Sequence, residues 1–290
     1  MSRRENAKVE RSPQWTMTIR PRVGLLNLDL ADLWRHRDLI GLFVRRDFVS
    51  VYKQTLLGPI WFLIQPVLNT IVYLAIFGGL VHMSTDDIPG PLFYFSGSML
   101  WQYFSTCVTK TSDTFLANAS VFGKVYFPRL TVPISNVVAN LITFSIQFAL
   151  FIVLLGYYML RGAPIHLTIA ALALPLILLC MAALGLGTGV LVSAMTTKYR
   201  DLRQLVSFGV QLWMYATPVV YPLSQVPGKW RWAVVINPMT PLLEAFRLAF
   251  MGKGSVDFTQ LTICGVVTIL ILIVGILMFN RVERTFMDVV

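Results

Sequence analysis

The sequence predicts an all-α membrane protein with six transmembrane helices per subunit. Hydrophobic residues make up 56% of the 290 residues and charged residues only 13%, whereas soluble domains carry roughly 25% charged residues. The mean hydropathy is +0.68. Six apolar stretches each approach the ~20 residues that a helix needs to cross the hydrocarbon core. They run over residues 60–81, 92–114, 132–160, 167–195, 205–221 and 261–279.

The distribution of cationic residues predicts the orientation of these spans. Of the 24 Lys and Arg residues, 19 fall on segments that six spans would place on one side. Because cytoplasmic segments carry such an excess, both termini are expected in the cytoplasm. The net charge of +10 then follows from topology, and no nucleic-acid partner is expected. Residues 1–28 and 283–290 are predicted to be cytoplasmic tails.

Residues 29–57 are predicted to contain a basic amphipathic helix that precedes the first span. Such a helix lies in the membrane surface, with its apolar side in the acyl boundary and its cations near anionic head groups. It is placed there to meet a lipid-borne substrate, or it serves only as an anchor. The apolar face consists of Ile40, Val44, Phe48 and Val51, and the polar face of Arg46, Ser50 and Lys53.

Polar residues recur at helical spacing within the predicted six-span domain, residues 58–282. Polar side chains that face lipid are costly, so these stripes are expected to line a pore or to join helices by hydrogen bonds. Neutral hydrogen-bonding groups beside aromatic rings suit sugars. Span four instead carries Gly185, Gly187 and Gly189, which predict close helix packing. The stripes are Phe62, Asn69, Tyr73 and Phe77 in span one; Ser98, Gln102, Ser105, Thr109 and Ser112 in span two; Asn136, Asn140, Thr143 and Gln147 in span three; and Gln204, Ser207, Gln211, Tyr215 and Pro218 in span five.

The cytoplasmic loop after span two is predicted to dock a cytoplasmic partner. Asn118 is suited to start a turn of helix, and Pro128 ends it. An exposed aromatic patch beside cations would favour such docking, and the alternative is a loop that packs on its own bundle. The patch is expected to comprise Phe122, Val125 and Tyr126, with Lys124 and Arg129 beside it.

The outer loop, residues 222–258, is too apolar for a solvated linker. Pro238 and Pro241 divide it into two short helices, each below the length needed to cross the membrane. These helices are expected to dip into the outer leaflet and return. Glu244 and Arg247, three residues apart, are expected to neutralise one another there and to hold the loop together.

Several classes of chemistry have no counterpart in the sequence. No acid or base lies near the centre of a span, although a carrier driven by an ion gradient usually needs one as a relay. Lys110 and Asp113, at the inner end of span two, are expected to pair. No GxxxxGK[ST] motif and no hydrolase motif is present, so the chain is predicted to be a transporter subunit rather than an enzyme. A secondary transporter and a membrane-embedded transferase acting on a lipid-linked sugar remain as alternatives.

Four motifs resemble, in order and spacing, those of the type-2 ABC exporter permeases that move lipid-linked polysaccharides. Members of that family export O-antigen, capsule or teichoic acid, and O-antigen is the expected cargo here. The resemblance covers about residues 33–284. The motifs are KQTLLGPIWFLIQPVL at 53–68, KVYFPRLTVP at 124–133, YRDLRQL at 199–205 and NPMTPLLEAFR at 237–247.

This resemblance implies both partners and residue roles. It implies a homodimer bound to two separate ATPase subunits, which hold ATP and magnesium, so no cofactor is expected in this chain. The implied substrate is a polyprenyl-diphosphate-linked glycan that arrives among the membrane lipids. The residues implied to contact the ATPase are Asn118, Phe122, Gly123, Lys124, Tyr126, Pro128 and Arg129 (coupling helix, 118–129), with Tyr199, Arg200 and Asp201 as a second contact. The implied lipid gate comprises Arg45, Arg46 and Lys53; the channel lining, Phe62, Asn69, Tyr73, Phe77, Gln211 and Tyr215; and the outer gate, Asn237, Pro238, Glu244 and Arg247.

Overall fold

In a computed structural model, the described residues form twelve α-helices and no β-strand, so the all-helical prediction is confirmed. The predicted N-terminal tail, residues 1–28, lies outside the described part of the chain. The structure describes residues 30–53, 57–124, 127–196, 199 and 201–289, with backbone alone at 30–32, 51–52 and 284–289.

The first half of the chain forms seven helices and two short helical segments of other geometry. A 3₁₀ turn at Gly58–Ile60 leads into α3, and α3 continues as a π-helical segment, Leu74–Leu80. The helices are α1 (Leu30–Arg35), α2 (Arg37–Tyr52), α3 (Trp61–Tyr73), α4 (Gly90–Ser112), α5 (Thr114–Ala117), α6 (Ala119–Phe122) and α7 (Thr131–Leu160).

The second half forms five helices. A 3₁₀ segment at Ile169–Ala173 precedes the first of them, and another at Leu223–Gln225 follows the second. The helices are α8 (Leu174–Thr196), α9 (Leu202–Tyr215), α10 (Gly228–Val235), α11 (Met239–Met251) and α12 (Phe258–Val289).

Four helical segments of the described residues are long and apolar enough to cross a membrane, and α10 with α11 makes a fifth if that bent pair counts as one span. The predicted spans two and five are not among them. Span five corresponds to α9, whose 14 residues reach only about 21 Å. Span two corresponds to α4, whose polar stripe lowers its hydropathy. The four segments are Gly58–Leu80, Thr131–Leu160, Ile169–Thr196 and Phe258–Glu283.

Helix α4 lies inside the bundle, in contact with α3, α7, α8, α9 and α11. This enclosure accounts for its polarity, because a helix covered by protein does not need an apolar surface. Several of its hydroxyls are satisfied locally: Ser98 donates to the carbonyl of Phe95, and Thr109 donates to that of Ser105, whereas the buried hydroxyls of Tyr94 and Thr111 have no hydrogen-bond partner. Buried hydroxyls bonded in this way avoid most of the desolvation cost of a polar group.

The predicted glycines of α8 do permit close packing, on two faces of the helix rather than one. A β-carbon at Gly185 would lie 2.8 Å from the β-carbon of Cys107 on α4. A β-carbon at Gly187 would lie 2.8 Å from the Cα of Leu272 on α12. Because residues two apart point to nearly opposite sides of a helix, α8 is packed between α4 and α12.

Candidate functional site: two adjoining grooves and their surroundings

A polar groove of about 400 Å³ lies between α3, α4 and α9. Of the six predicted channel residues, four line this groove: Asn69 and Tyr73 from α3, and Gln211 and Tyr215 from α9. The Tyr73 hydroxyl also donates to the sulfur of Met214 at 3.5 Å. The structure therefore brings together, across about 140 residues of sequence, amides and phenol rings that helical spacing had grouped only within each span.

The third wall of this polar groove comes from α4, which sequence reasoning did not assign to the channel. Ser98, Trp101, Ser105 and Thr109 line it. The polar stripe on span two is visible in the sequence. Its spacing alone, however, does not separate a wall of a groove from a helix-packing face, since both require polar residues on the covered side.

A second groove, of about 520 Å³, lies between α3, α4 and α7. Phe62, a predicted channel residue, lines this groove rather than the polar one, and its backbone carbonyl accepts a hydrogen bond from the Gln147 amide at 2.9 Å. The two grooves adjoin, because one set of side chains lines both. That shared set is Gln65, Asn69, Gln102 and Thr106.

The assignment of Phe77 to the channel lining stays a prediction. Its ring packs on Tyr73, with centroids 6.2 Å apart, and lines neither groove. Phe77 lies in the π-helical segment Leu74–Leu80, which continues α3.

The exposed aromatic patch predicted for the cytoplasmic loop is wrong at Phe122. This side chain is only 4% exposed and packs in a small cluster with Phe115 and Phe127. Pro128 is also buried, whereas Gly123 and Lys124 are exposed. The loop thus packs on its own bundle through Phe122 and offers its exposed residues to the surroundings, which was the alternative interpretation. Tyr126 lies outside the described residues.

Two other predicted contact residues in this loop serve internal packing. The amide of Asn118 donates to the carbonyl of Thr114 at 3.0 Å instead of capping α6. The Arg129 guanidinium donates to the backbone carbonyl of Glu283 on α12, and it lies over the Phe122 ring, 5.6 Å from its centroid. Both interactions fix the loop to the helices around it.

At the second predicted cytoplasmic contact, Tyr199 and Asp201 are exposed, and Arg200 lies outside the described residues. The expected ion pair between Lys110 and Asp113 is wrong. Asp113 instead pairs with Arg203 in the first turn of α9, with a nitrogen–oxygen distance of 2.9 Å. The partner of Asp113 lies 90 residues away in the chain and was not recoverable from local spacing.

Helix α2 has the predicted amphipathic pattern, and its apolar face packs on the protein itself. Phe48 stacks on Phe62 with ring centroids 5.7 Å apart, and Phe43 packs on Phe127 at 5.8 Å. The start of α7 and the cluster around Phe122 supply this apolar surface, and the placement of the helix in the membrane surface stays a prediction. The side chains of the predicted gate residues Arg45, Arg46 and Lys53 are exposed.

The outer loop forms two short helices as predicted, with a 93° bend between α10 and α11. Asn237 fixes this bend: its Oδ1 accepts hydrogen bonds from the Trp213 indole at 3.1 Å and from the Met239 amide at 3.0 Å. Its Nδ2 donates to the Thr217 hydroxyl at 2.8 Å. The carbonyl of the neighbouring Pro238 accepts from Cys264 on α12. The bend is therefore tied to the end of α9 and to α12.

The predicted pairing of Glu244 with Arg247 is confirmed, at 3.1 Å. Both side chains are almost completely buried, and they have further partners. Arg247 donates to the carbonyl of Val219 and lies over the Phe93 ring, 3.8 Å from its centroid. Glu244 accepts from the backbone amide of Ser255. The pair thus joins α11 to α4, to the segment that contains Val219 and to the segment that contains Ser255.

Known proteins resemble this chain in sequence along most of its length. The family model for the ABC-2 type transporter matches residues 38–251. An O-antigen export system permease protein, RfbA, of Klebsiella pneumoniae is 27% identical over 252 residues, covering 87% of this chain and 95% of that protein. RfbA of Myxococcus xanthus is 27% identical over 259 residues, covering 89% and 97%. The polysialic acid transport protein KpsM of Escherichia coli is 23% identical over 248 residues, covering 85% and 94%.

Proposed function

This chain belongs to the ABC-2 type transporter family, and on that premise we propose that it is the membrane subunit of an ATP-driven polysaccharide exporter. The substrate we propose is a polyprenyl-diphosphate-linked glycan, and more narrowly an O-antigen. Two observations support this choice. Relatives that cover most of the chain are named for O-antigen export or polysialic acid transport, and the polar groove has the chemistry that sugars require.

The polar groove between α3, α4 and α9 is the observation that carries the proposal. Gln211, Asn69 and Ser105 offer neutral hydrogen-bonding groups, and Trp101 and Tyr215 offer aromatic surfaces. Among the described residues that line this groove, none is charged. A wall of this kind can exchange hydrogen bonds with successive hydroxyls and contact sugar ring faces. Because the wall has no charged group that would hold any one sugar unit tightly, it suits the passage of a polysaccharide.

The energy source we propose is a separate ATPase, present as two subunits on a homodimer of this chain, with ATP and magnesium bound by the ATPase. The residues best placed to touch it are the exposed ones on the cytoplasmic loops: Gly123 and Lys124 after α6, and Tyr199 and Asp201 before α9. Phe122 and Arg129 support this surface from within the bundle. Closure of the ATPase on ATP would then move α4, which leads through α5 and α6 into the first loop, and α9, which follows the second.

In the membrane we propose six spans per subunit across residues 58–282, with α4 as the second and α9 as a short fifth. Helices α10 and α11, within residues 222–258, would form a re-entrant outer gate fixed by Asn237, Pro238, Glu244 and Arg247. Both termini would lie in the cytoplasm and the protein in the inner membrane. The positive-inside distribution of Lys and Arg supports this orientation.

The lipid carrier would be captured on α2. Arg45, Arg46 and Lys53 are exposed on this helix, and cations at the membrane surface attract anionic lipid head groups by about 1 kcal/mol each. Phe48 of the same helix stacks on Phe62, which lines the larger groove. Captured lipid would therefore stand beside the grooves.

Removal of the gene from its host tests the proposal. We expect the surface glycan to disappear while lipid-linked glycan accumulates in the inner membrane, and the wild-type gene to restore export. Gln211→Leu should restore about a fifth to a tenth of export, since it removes a hydrogen-bonding wall residue. The control Gln225→Leu changes an exposed glutamine outside both grooves and should restore it fully. Export that continues without the gene, or that runs on an ion gradient without the ATPase, would contradict the proposal.

A further inference from the structure

A single cation stands in the larger groove, between α3, α4 and α7. Lys110 is the one charged side chain among the described residues that line it. Its Nζ donates to the Asn140 Oδ1 at 3.1 Å, and the Asn136 amide donates to its backbone carbonyl at 3.4 Å. Among the ion pairs of the described residues, none includes Lys110. Its charge therefore has a neutral amide, but no carboxylate, as its neighbour.

Lys110 is exposed in the last turn of α4, so its charge is accessible to a ligand. Ionised groups within the spanning region of a membrane protein are paired, or they mark the path of a substrate. An amide oxygen satisfies one of the three donors of the ammonium and leaves its positive charge uncompensated. Asp113, three residues further along α4, is already paired with Arg203. An anionic ligand in this groove would therefore meet a cation that no carboxylate of the described residues neutralises.

The walls of the groove indicate what kind of anion this is. One side is apolar, and two of its side chains, Trp61 and Leu68, are about half exposed at 48% and 55%. The other side carries the amine of Lys110 and the amides of Asn140 and Gln147. A ligand that matches both sides has an anionic head and a hydrocarbon tail.

We propose that Lys110 binds the diphosphate of the polyprenyl carrier inside this groove, with Asn140 orienting the ammonium and the prenyl chain lying along Trp61 and Leu68. This inference rests on the proposed function, and it assigns to one residue the recognition of the link between lipid and glycan. The cations of α2 attract the lipid at the surface, whereas Lys110 fixes the position of its head.

The contact between the two grooves supports binding of the diphosphate in the larger groove and of the sugars in the polar groove. Gln65, Asn69, Gln102 and Thr106 line both of them, so a molecule whose diphosphate lies at Lys110 can extend its sugars into the neutral polar groove. The larger groove also meets α2 through the stack of Phe48 on Phe62. The substrate would therefore meet, in this order, the cations of α2, the larger groove and the polar groove.

The test uses the complete complex with its ATPase in lipid nanodiscs and measures binding of geranylgeranyl diphosphate as the probe. We expect Lys110→Gln to raise the dissociation constant about tenfold, which corresponds to loss of one charge-assisted contact, and Lys110→Arg to restore binding to within about threefold. Asn140→Asp places a carboxylate where the amide oxygen now lies, 3.1 Å from Lys110. It should weaken binding as much as Lys110→Gln while leaving the lysine in place.

Inorganic diphosphate should compete poorly, because it gains nothing from the apolar wall, and equal competition would overturn the assignment of a lipid. Arg161→Gln, at an exposed cation outside the groove, is the matched control and should bind as wild type. The inference would be overturned if Lys110→Gln bound the probe as wild type while replacement of Arg45, Arg46 and Lys53 by Gln weakened binding. That result would leave the proposed function standing. No binding of the probe by the wild-type complex would contradict the proposed substrate itself.

Discussion

Asp113, at the end of α4, forms an ion pair with Arg203, in the first turn of α9, at a nitrogen–oxygen distance of 2.9 Å. The pair joins the two helices that form opposite walls of the polar groove. Asp113 directly follows α4, and Arg203 lies two residues after the exposed Asp201. We expect a movement of either helix at this end to be transmitted to the other.

Loss of this pair is expected to reduce the glycan exported per ATP hydrolysed rather than the amount of protein. Arg203 is 61% exposed, and exposed pairs contribute ~1 kcal/mol or less, so Asp113→Asn or Arg203→Gln should lower this ratio about twofold to fivefold. The measurement is transport and ATPase activity in the same proteoliposomes. The charge-exchanged double variant, Asp113→Arg with Arg203→Asp, should recover part of the loss; equal coupling in all four proteins would contradict the role.

The buried pair of Glu244 and Arg247 is expected to be essential to the stability of the outer helices. Arg247→Met leaves the Glu244 carboxylate buried at 6% exposure without its partner, and breaking a buried pair from one side costs roughly 3–5 kcal/mol. We expect a large fall in the midpoint of thermal unfolding of the purified protein. Glu244→Leu combined with Arg247→Met removes both charges and should be less destabilising than Arg247→Met alone. A double variant as unstable as the sum of the single changes would show that the ion pair is not the cause.

Substitution of Phe122 is expected to affect thermal stability as well as ATPase binding, whereas substitution of Lys124 is expected to affect ATPase binding alone. Phe122→Ala removes a ring that is 4% exposed, and such changes cost about 3–5 kcal/mol, so it should lower thermal stability together with ATPase binding. Lys124→Glu changes an exposed side chain and should leave the unfolding midpoint unchanged while weakening co-purification with the ATPase. Full ATPase retention in Lys124→Glu would argue against this part of the coupling surface.

Neutralisation of the α2 cations is expected to reduce export without affecting assembly. Replacement of Arg45, Arg46 and Lys53 by Gln removes three exposed positive charges, each of which attracts an anionic surface by about 1 kcal/mol. Export should fall more than tenfold, and co-purification with the ATPase should be unchanged. Arg37→Gln, an exposed cation at the first position of α2 and two turns before Arg45, is the control. Unchanged export in the triple variant would reduce α2 to an anchor.

The sequence by itself determined the features that depend on neighbours a few residues apart. These are the helical class, the apolar segments, the division of the outer loop at Pro238, and the pairing of Glu244 with Arg247. Each follows from helical periodicity, from the missing amide hydrogen of proline or from the contact of side chains three residues apart. Local chemistry of this kind is the same in any fold that contains the segment.

Only the tertiary structure decided which distant faces meet. It paired Asp113 with Arg203 instead of Lys110, buried Phe122, and separated Phe62 from Tyr73 into two adjoining grooves. A polar stripe indicates that a helix face is covered. Which helix covers it depends on the rotation and crossing of whole helices. Those are set by the summed packing of α4 against five neighbouring helices, which no stretch of the sequence contains by itself.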